Sequence, residues 1–377
     1  MEIFSFTTLF PPIQVGGAEK SVLEINDDLV SAGHSVEIFT LSLGRLVTEI
    51  RPQGDIVVHR ILRKQPYFPF TLKEKPNAIR RFLWHASDVF SPAVYKKIHQ
   101  RMKINPAKLF VTHNLSGLSY APWIYARFHK IKVIHVIHDY NLLCPRTSLW
   151  HNNSRCARIC IQCEPRKKLS QMFLSQKFMI LGVSQAVLEK HKSLGLFENN
   201  PTGILNGNTR MEYVPNKNSS FDFGFIGAIT SAKGIDLLLK AAQSTNYSFA
   251  IAGKGSESEI SKLANIPNVT YLGWQDPRDF FSKIDTLIVP SIWDDPAPKV
   301  VYEGAWAGRR VIVSDRPSLL ELANYHEIDF LSFKAGDVDD LISCLNRAHQ
   351  NKEPVKTPKA RPSQGENLMK VIQTFVI

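Results

Sequence analysis

Long apolar runs are missing from this chain of 377 residues. None approaches the ~20 residues that a bilayer-crossing helix needs, so no membrane span is expected. The opening "MEIFSFTTLFPP" has no basic n-region ahead of an apolar h-region, which argues against a signal peptide and for a cytoplasmic protein. There is no G-x-G-x-x-G, which a nicotinamide-dependent two-domain enzyme would want, and no Walker lysine with its hydroxyl. Short-period repeats, low-complexity tracts and recognisable DNA- or RNA-binding signatures are absent too, so no nucleic-acid partner is expected. Cysteine is scarce. Of five, four crowd between Cys144 and Cys163, unlike a secreted disulfide framework. Acidic residues fall short of basic ones, 34 against 46, for a formal net charge of +12. That excess favours a polyanionic ligand: nucleic acid, an anionic membrane surface or a phosphate-bearing substrate.

What is present reads as a soluble two-domain protein: 44% of residues are hydrophobic, 21% are charged, and the length allows two sizeable cores. Near the start, "FPPIQVGGAEKSV" sets Gly16 and Gly17 ahead of a helix whose Val22, Ile25 and Leu29 share a face and which Gly33 ends. Glycines before a helix let a ligand approach the backbone closely, and the helix start offers N–H groups to an anion; shaping a loop is the alternative. Apolar runs "SVEIFTL", "DIVVHRI", "AKLFVTHN", "KVIHVIHDY" and "KFMILGVS" read as buried parallel strands alternating with helices. "PTGILNGNTRMEYVPNKNSSF" reads as a linker, after which the alternation restarts with "FDFGFIGAI", "YSFAIAG", "VTYLG", "DTLIVPS", "RRVIVSD" and "IDFLSF". The expected architecture is α/β, two doubly wound Rossmann-like domains facing across a cleft, over residues 1–203 and 204–355. Residues 356–377 form a tail whose Leu368, Val371, Ile372 and Phe375 fall at helical spacing, so it is expected to pack back on the first domain.

In the second half, Gly227 ends a strand, and Lys233 and Gly234 stand at the mouth of a helix, where a lysine can neutralise a diphosphate. "SIWDDPAPKVVYEGAW" puts Asp295 and Glu303 on either side of a loop-to-helix transition, with Pro298 suited to the first turn. An acid so near the start of a buried helix needs a partner, and a ribose diol is a good one.

Taken in order, "GGAEK", "THNLSGLS", "HDYNLLCPR", "FIGAITSAKG", "IAGKG" and the D-x7-E of Asp295 to Glu303 resemble a retaining family-4 glycosyltransferase of GT-B fold. The resemblance covers nearly the whole chain, and the D-x7-E is that family's E-x7-E with its first glutamate shortened. It implies that Glu303 binds the donor ribose. Asp295, with the backbone of Ala297, Pro298 and Lys299, would hold the transferred sugar. Lys233 would meet the donor diphosphate, beside Gly227 and, from the other domain, Gly16 and Gly17. Ala228 stands where the family usually has arginine, and Arg210 is a candidate substitute. His113 would lie near the reacting sugar, with His138 and Asp139 on the acceptor side.

Such a cleft needs no catalytic metal, and Asp294–Asp295 need not be one. Implied partners are a UDP- or GDP-sugar and a saccharide or polyprenyl-linked acceptor; the implied place is the cytoplasm, peripheral on the inner face of the plasma membrane. The implied context is surface-polysaccharide biosynthesis. An epimerase or phosphorylase of the same build, or a non-catalytic nucleotide-sugar or nucleic-acid binder, are the rival readings. Tyr67, Phe68, Phe70, Phe82, Trp84 and Phe90 sit among many Lys and Arg. They read first as aromatics packed into the first domain's core, second as a surface for anionic lipid. Finally, Cys144, Cys156, Cys160 and Cys163 form C-x11-C-x3-C-x2-C, a candidate structural zinc site or a set of reduced thiols.

Overall fold

Runs such as "SVEIFTL" and "DTLIVPS" are apolar on both faces, which suits strands covered by helices on either side. The computed structural model describes the chain apart from residues 14–15, 43–46, 51–55, 64–65, 69–75, 208–218, 352, 357 and 377, and it places these runs in two parallel sheets. Strands β1 (Glu2–Phe6), β2 (Ser35–Leu41), β3 (Val47–Ile50), β4 (Ile56–Ile61), β5 (Leu109–Thr112) and β6 (Lys132–Ile137) come first. A short hairpin, β7 (Trp150–His151) and β8 (Ser154–Arg155), precedes β9 (Met179–Gly182) and β10 (Thr202–Ile204). The second half supplies β11 (Phe221–Ile226), β12 (Phe249–Ala252), β13 (Val269–Tyr271), β14 (Ile284–Val289), β15 (Arg310–Ser314) and β16 (Phe330–Phe333).

The first sheet runs β10-β9-β6-β5-β1-β2-β4-β3 and the second β13-β12-β11-β14-β15-β16. Within them, among the described residues, only β3, against β4, is antiparallel. Strand order reverses between β1 and β5 in one sheet and between β11 and β14 in the other. At such switch points the loops leaving adjacent strands diverge and open a crevice beyond their carboxyl ends. One apolar core fills the first domain, and the second sheet separates two smaller ones.

Three local readings differ from the sequence expectation. "TGI", read as linker, is the edge strand β10, and Leu205 behind it is fully buried, so the first domain runs past residue 203. In the helix Ala78–Ser87 only Trp84 is buried, with Tyr67 stacked on it at 6.0 Å. Phe82 and Phe90 point outward, Phe68 is partly buried, and Phe70 lies outside the described residues. Pro298 stands before its helix, which spans Val300–Trp306.

The chain finishes on the first domain. Helix Gln364–Val376 lies against helix Gly17–Ser31, and its Leu368 and Ile372 join the first core. Gly365 allows this approach: a Cβ there would stand 2.2 Å from that of Asp28. Lys132 donates to the carbonyls of Phe375 and Val376 at 2.9 and 2.8 Å.

Candidate active site

On the first domain, the loops after β1 and β5 are tied together, Thr8 N–H donating to Asn114 O at 2.9 Å and its hydroxyl to Ser116 O at 2.7 Å. His113 follows β5 and His138 follows β6, and their rings share a hydrogen bond, Nδ1 to Nε2, of 3.0 Å. His113 is buried, and its Nε2 has no hydrogen-bond partner among the described residues. Burial, then the neighbouring His138 and His135, holds its pKa well below the usual imidazole value. Burial and then the charge of Lys299 bring His138 down to about 3. Both rings are therefore neutral near pH 7 and offer one proton and one lone pair across their bond. Asp139 accepts from Asn141 N–H at 2.7 Å and from the Asn114 amide, yet burial outweighs both and raises its pKa to about 6.

A cavity of about 30 Å³ opens between Thr7–Leu9, the first turns of helix Gly17–Ser31 and the pair His113 and His138. It has room for roughly two waters, or for one or two hydroxyls of a larger ligand. Gly16 is the N-cap of that helix, in extended backbone, and its N–H donates to Glu19 Oε2 at 2.9 Å. A side chain at Gly17 would meet nothing within 4 Å. Packing therefore does not demand glycine here; open space lies in front of the helix start.

On the second domain, the turn after β11 carries Gly227 and ends in the single 3-10 turn Ser231–Lys233. Gly234 follows at φ 80°, where a Cβ would come within 1.9 Å of Pro290 O, so only glycine lets this turn press on the loop after β14. Ile292 N–H seals the junction by donating to Ala232 O at 3.0 Å. As a result Lys233 forms an ion pair with Asp295 and lies 5.6 Å over the Trp293 ring. The adjacent acid faces elsewhere: Asp294 pairs with Arg155 at 3.0 Å and Lys190 at 3.7 Å on the first domain. The two acids thus serve different cations. Glu303, 8% exposed, stands 3.7 Å from Lys20 Nζ of the first domain, and burial raises its pKa against the pull of Lys20 and Lys299. Lys299 in turn meets Glu24 at 3.1 Å.

The domains are latched beside this site. Glu321 accepts from the N–H groups of Gln185 and Ala186, at 2.6 and 2.9 Å, where helix Gln185–Ser193 begins. An anion there meets unpaired N–H groups and the positive end of the helix dipole. Ser184 donates to Pro296 O, and Tyr140 to Asp294 O at 2.8 Å.

Of the residues singled out in the sequence, the structure sets His113 and His138 on the first domain's side of the cleft and Lys233, Asp295 and Glu303 on the second's. The sequence reading missed Lys20, Glu24, Glu321 and Trp293. For Lys20 the signal lay inside "GGAEK"; for Glu321 there was none, since its partners sit in the other domain. Arg210 lies outside the described residues.

Beside the cleft, Cys144 and Cys163 are buried, Cys156 is partly exposed and Cys160 exposed. Cys163 is in hydrogen-bonding contact with Cys144 and Cys160, and burial with these neighbours pushes its thiol well up. Among the described residues no group of three or more His, Cys, Asp or Glu is arranged to hold a metal ion.

Two Rossmann-like domains whose switch points face one another define the GT-B fold. Residues 220–351 match the family model described as "Glycosyl transferases group 1". A relative from Klebsiella pneumoniae, "Uncharacterized 42.6 kDa protein in cps region", is 28% identical over 357 residues, 90% of this chain and 94% of that one. Among solved structures, Anabaena Alr3699/HepE in complex with UDP and glucose superposes with a TM-score of 0.68 at 13% identity, covering 100% of this chain and 95% of that one. The catalytic domain of starch synthase IV from Arabidopsis thaliana, bound to ADP and acarbose, gives 0.66 at 14% identity, covering 99% and 98%. At such identities the structural likeness is one of fold.

Proposed function

We propose that the protein is a retaining glycosyltransferase of the family-4 kind. It moves a hexose from a nucleotide-sugar to a saccharide or lipid-linked saccharide, in surface-polysaccharide biosynthesis. The observation that carries this reading is the facing of two walls: Lys233, Asp295 and Glu303 on one, the His113–His138 pair with its cavity on the other. Glu303 takes the ribose hydroxyls, and Asp295 with the backbone of Ala297, Pro298 and Lys299 takes the transferred sugar. Gly227, Gly16 and Gly17 let the donor approach. Lys233 neutralises charge as the diphosphate departs, a role for which a fixed ammonium suffices without a catalytic metal. His113 Nε2 orients the acceptor hydroxyl, beside His138 and Asp139. That hydroxyl attacks the anomeric carbon on the face the diphosphate leaves. The carbon–phosphate-oxygen bond breaks, and the hydroxyl proton passes to the departing phosphate, so no protein nucleophile is required.

Thermal shift with UDP-, GDP- and ADP-sugars, followed by product analysis with a labelled donor, tests the reading. One nucleotide should raise the melting temperature, and the label should reach an acceptor with its anomeric configuration kept. Epimerised donor formed without acceptor would make it an epimerase, and binding without turnover a binding protein.

The acceptor side includes an anionic membrane surface in this reading, which sets the enzyme peripherally on the cytoplasmic face. Ile79 and Phe82, each 71% exposed, and Leu83, 50% exposed, project beside Arg80 and Arg81 from helix Ala78–Ser87. Residues 76–87 contain no acid, and Asp88 beyond them is buried against Arg63 and Arg166. Apolar prongs between cations suit the headgroup region of anionic lipid. Sedimentation with phosphatidylglycerol vesicles should fall with added salt and with Phe82→Ser; equal, salt-indifferent binding to phosphatidylcholine vesicles would defeat the assignment.

The cysteine knuckle is proposed as a structural zinc site on the chemistry of its donors, four thiols of which Cys163 touches both Cys144 and Cys160. Two non-glycine residues inside it, Thr147 and Leu149, have φ of 61° and 50°, backbone that a cross-link would help retain, while Asn152 and Asn153, at 49° and 53°, form the two-residue turn of the β7–β8 hairpin. Protein purified without chelator should carry about one zinc per chain. No metal together with four titratable thiols would remove the site.

A further inference from the structure

The loop that leaves β14 toward the proposed sugar contacts has three consecutive carbonyls, and each accepts a side-chain hydroxyl. Tyr140 donates to Asp294 O at 2.8 Å, Ser318 to Asp295 O and Ser184 to Pro296 O. All three hydroxyl-bearing residues are buried, and no backbone N–H among the described residues donates to these carbonyls. Ser318 belongs to the same domain as the loop, in the first turn of helix Pro317–Tyr325. Tyr140 and Ser184 belong to the other domain. The Asp294 carboxylate, paired with Arg155 and Lys190, ties the loop to that domain as well.

A peptide unit is planar, so holding its carbonyl holds the whole plane. The Cα of Asp295 hangs between two such planes. Tyr140 holds the one before it, across the cleft, and Ser318 holds the one after it. The direction in which the Asp295 side chain leaves the backbone is therefore set by both domains together. Ser184 holds the next plane, and in a trans peptide the N–H lies opposite the carbonyl, so the Ala297 N–H is turned away from Ser184. Tyr140 has little freedom of its own. Its ring stacks on His191 at 5.4 Å and meets Trp293 edge-on at 6.4 Å.

We propose that Tyr140 and Ser184 are positioning residues for the donor's sugar. Through two hydroxyls the first domain shapes Asp295 and Ala297 of the second, so the sugar subsite is complete only while the domains are docked. This rests on the donor site proposed above. It also divides one ligand in two: the diphosphate and the ribose, assigned to Lys233 and Glu303, are met by side chains that neither hydroxyl touches.

Titration calorimetry of wild type, Tyr140→Phe, Ser184→Gly and the double variant tests this, with UDP-glucose, UDP-galactose, GDP-mannose and ADP-glucose beside UDP, GDP and ADP. Phenylalanine keeps the ring contacts with His191 and Trp293. Glycine is tolerated at a helix start, where Ser184 caps the Val187 N–H at 3.2 Å. Each variant leaves a buried carbonyl without its donor, so sugar-nucleotide affinity should fall roughly five- to fiftyfold. Affinity for the matching diphosphate should stay level, and the double variant should lose more than either single one. Equal losses for sugar-nucleotide and diphosphate would mark a general loosening of the domains. No loss in variants that melt like the parent would show that the loop holds its own shape. Either result overturns the proposal. Wild type that binds a diphosphate but none of the sugar-nucleotides would refute the sugar contacts and this proposal with them. Failure of the wild type to bind any of the three diphosphates would remove the donor site itself, a result distinct from a failure specific to Tyr140 and Ser184.

Discussion

Glu303→Gln should lower donor affinity and turnover by roughly ten- to a hundredfold while leaving the melting temperature close to that of the parent. The amide keeps the size of the side chain and one acceptor oxygen, so of the two charge-assisted bonds proposed to the ribose hydroxyls it loses one, worth about 1.5–3 kcal/mol. Stability should hold because the change acts in two opposing directions. Burial disfavours the ionised Glu303, so neutralising it relieves a penalty, while Lys20 loses the attraction of one neighbouring charge. With 36% of its side chain exposed, the Lys20 ammonium stays hydrated. Initial rates, calorimetry and thermal denaturation on the same preparation check all three. Wild-type turnover and affinity in the variant would show that Glu303 does not hold the ribose.

Acidification should destabilise the fold far above the carboxylate range. Burial brings His135 and His138 down to about 3, and His191 and His326 to about 4, from 6.5. The surroundings of His135, His138 and His191 explain why. His135 accepts or donates one bond to Thr112 at 2.9 Å, His191 one to Val187 O at 2.8 Å, and His138 lies near the Lys299 charge. The sign follows from linkage. The unfolded chain takes up these protons near pH 6.5 and the folded chain only near 3–4, so stability present above 6.5 is lost as the pH falls toward those values. Each such histidine costs about 1.4 kcal/mol per pH unit inside that window. Asp139 acts oppositely. Its raised pKa favours the folded state as the pH drops from about 6 toward 3.8, offsetting roughly one histidine. The net loss between pH 6 and 5 is a few kcal/mol, a large part of a typical domain's 5–15 kcal/mol. Melting temperatures measured from pH 7.5 to 5 should fall steeply with proton uptake on unfolding, and a flat profile over that range would refute the buried-neutral assignment.

Much of the architecture could be read from the chain because parallel strands advertise themselves. "SVEIFTL" and "RRVIVSD" are apolar on both faces, and only a sheet with helices above and below can bury both. "TGI" was missed because three residues at a sheet edge need little apolar character and sit amid Pro, Asn and Gly. The outward turn of Phe82 was missed because helical spacing identifies a face without saying what it faces. At the site, Asp295, Glu303, Lys233 and His113 were legible as strand-end and helix-start residues, where the fold class puts ligands.

By itself, then, the sequence determined the two doubly wound domains, with a boundary at 203/204 that falls inside strand β10. Those properties rest on local periodicity and on glycine and proline placement, which act within a few residues. Only the tertiary structure decided which charges meet: Lys20 with Glu303, Glu24 with Lys299, Asp294 with Arg155 and Lys190, and Glu321 with the start of helix Gln185–Ser193. These partners are separated by more than a hundred residues in the chain and belong to different domains. An ion pair leaves no periodic trace in sequence, so domain docking alone chooses its members.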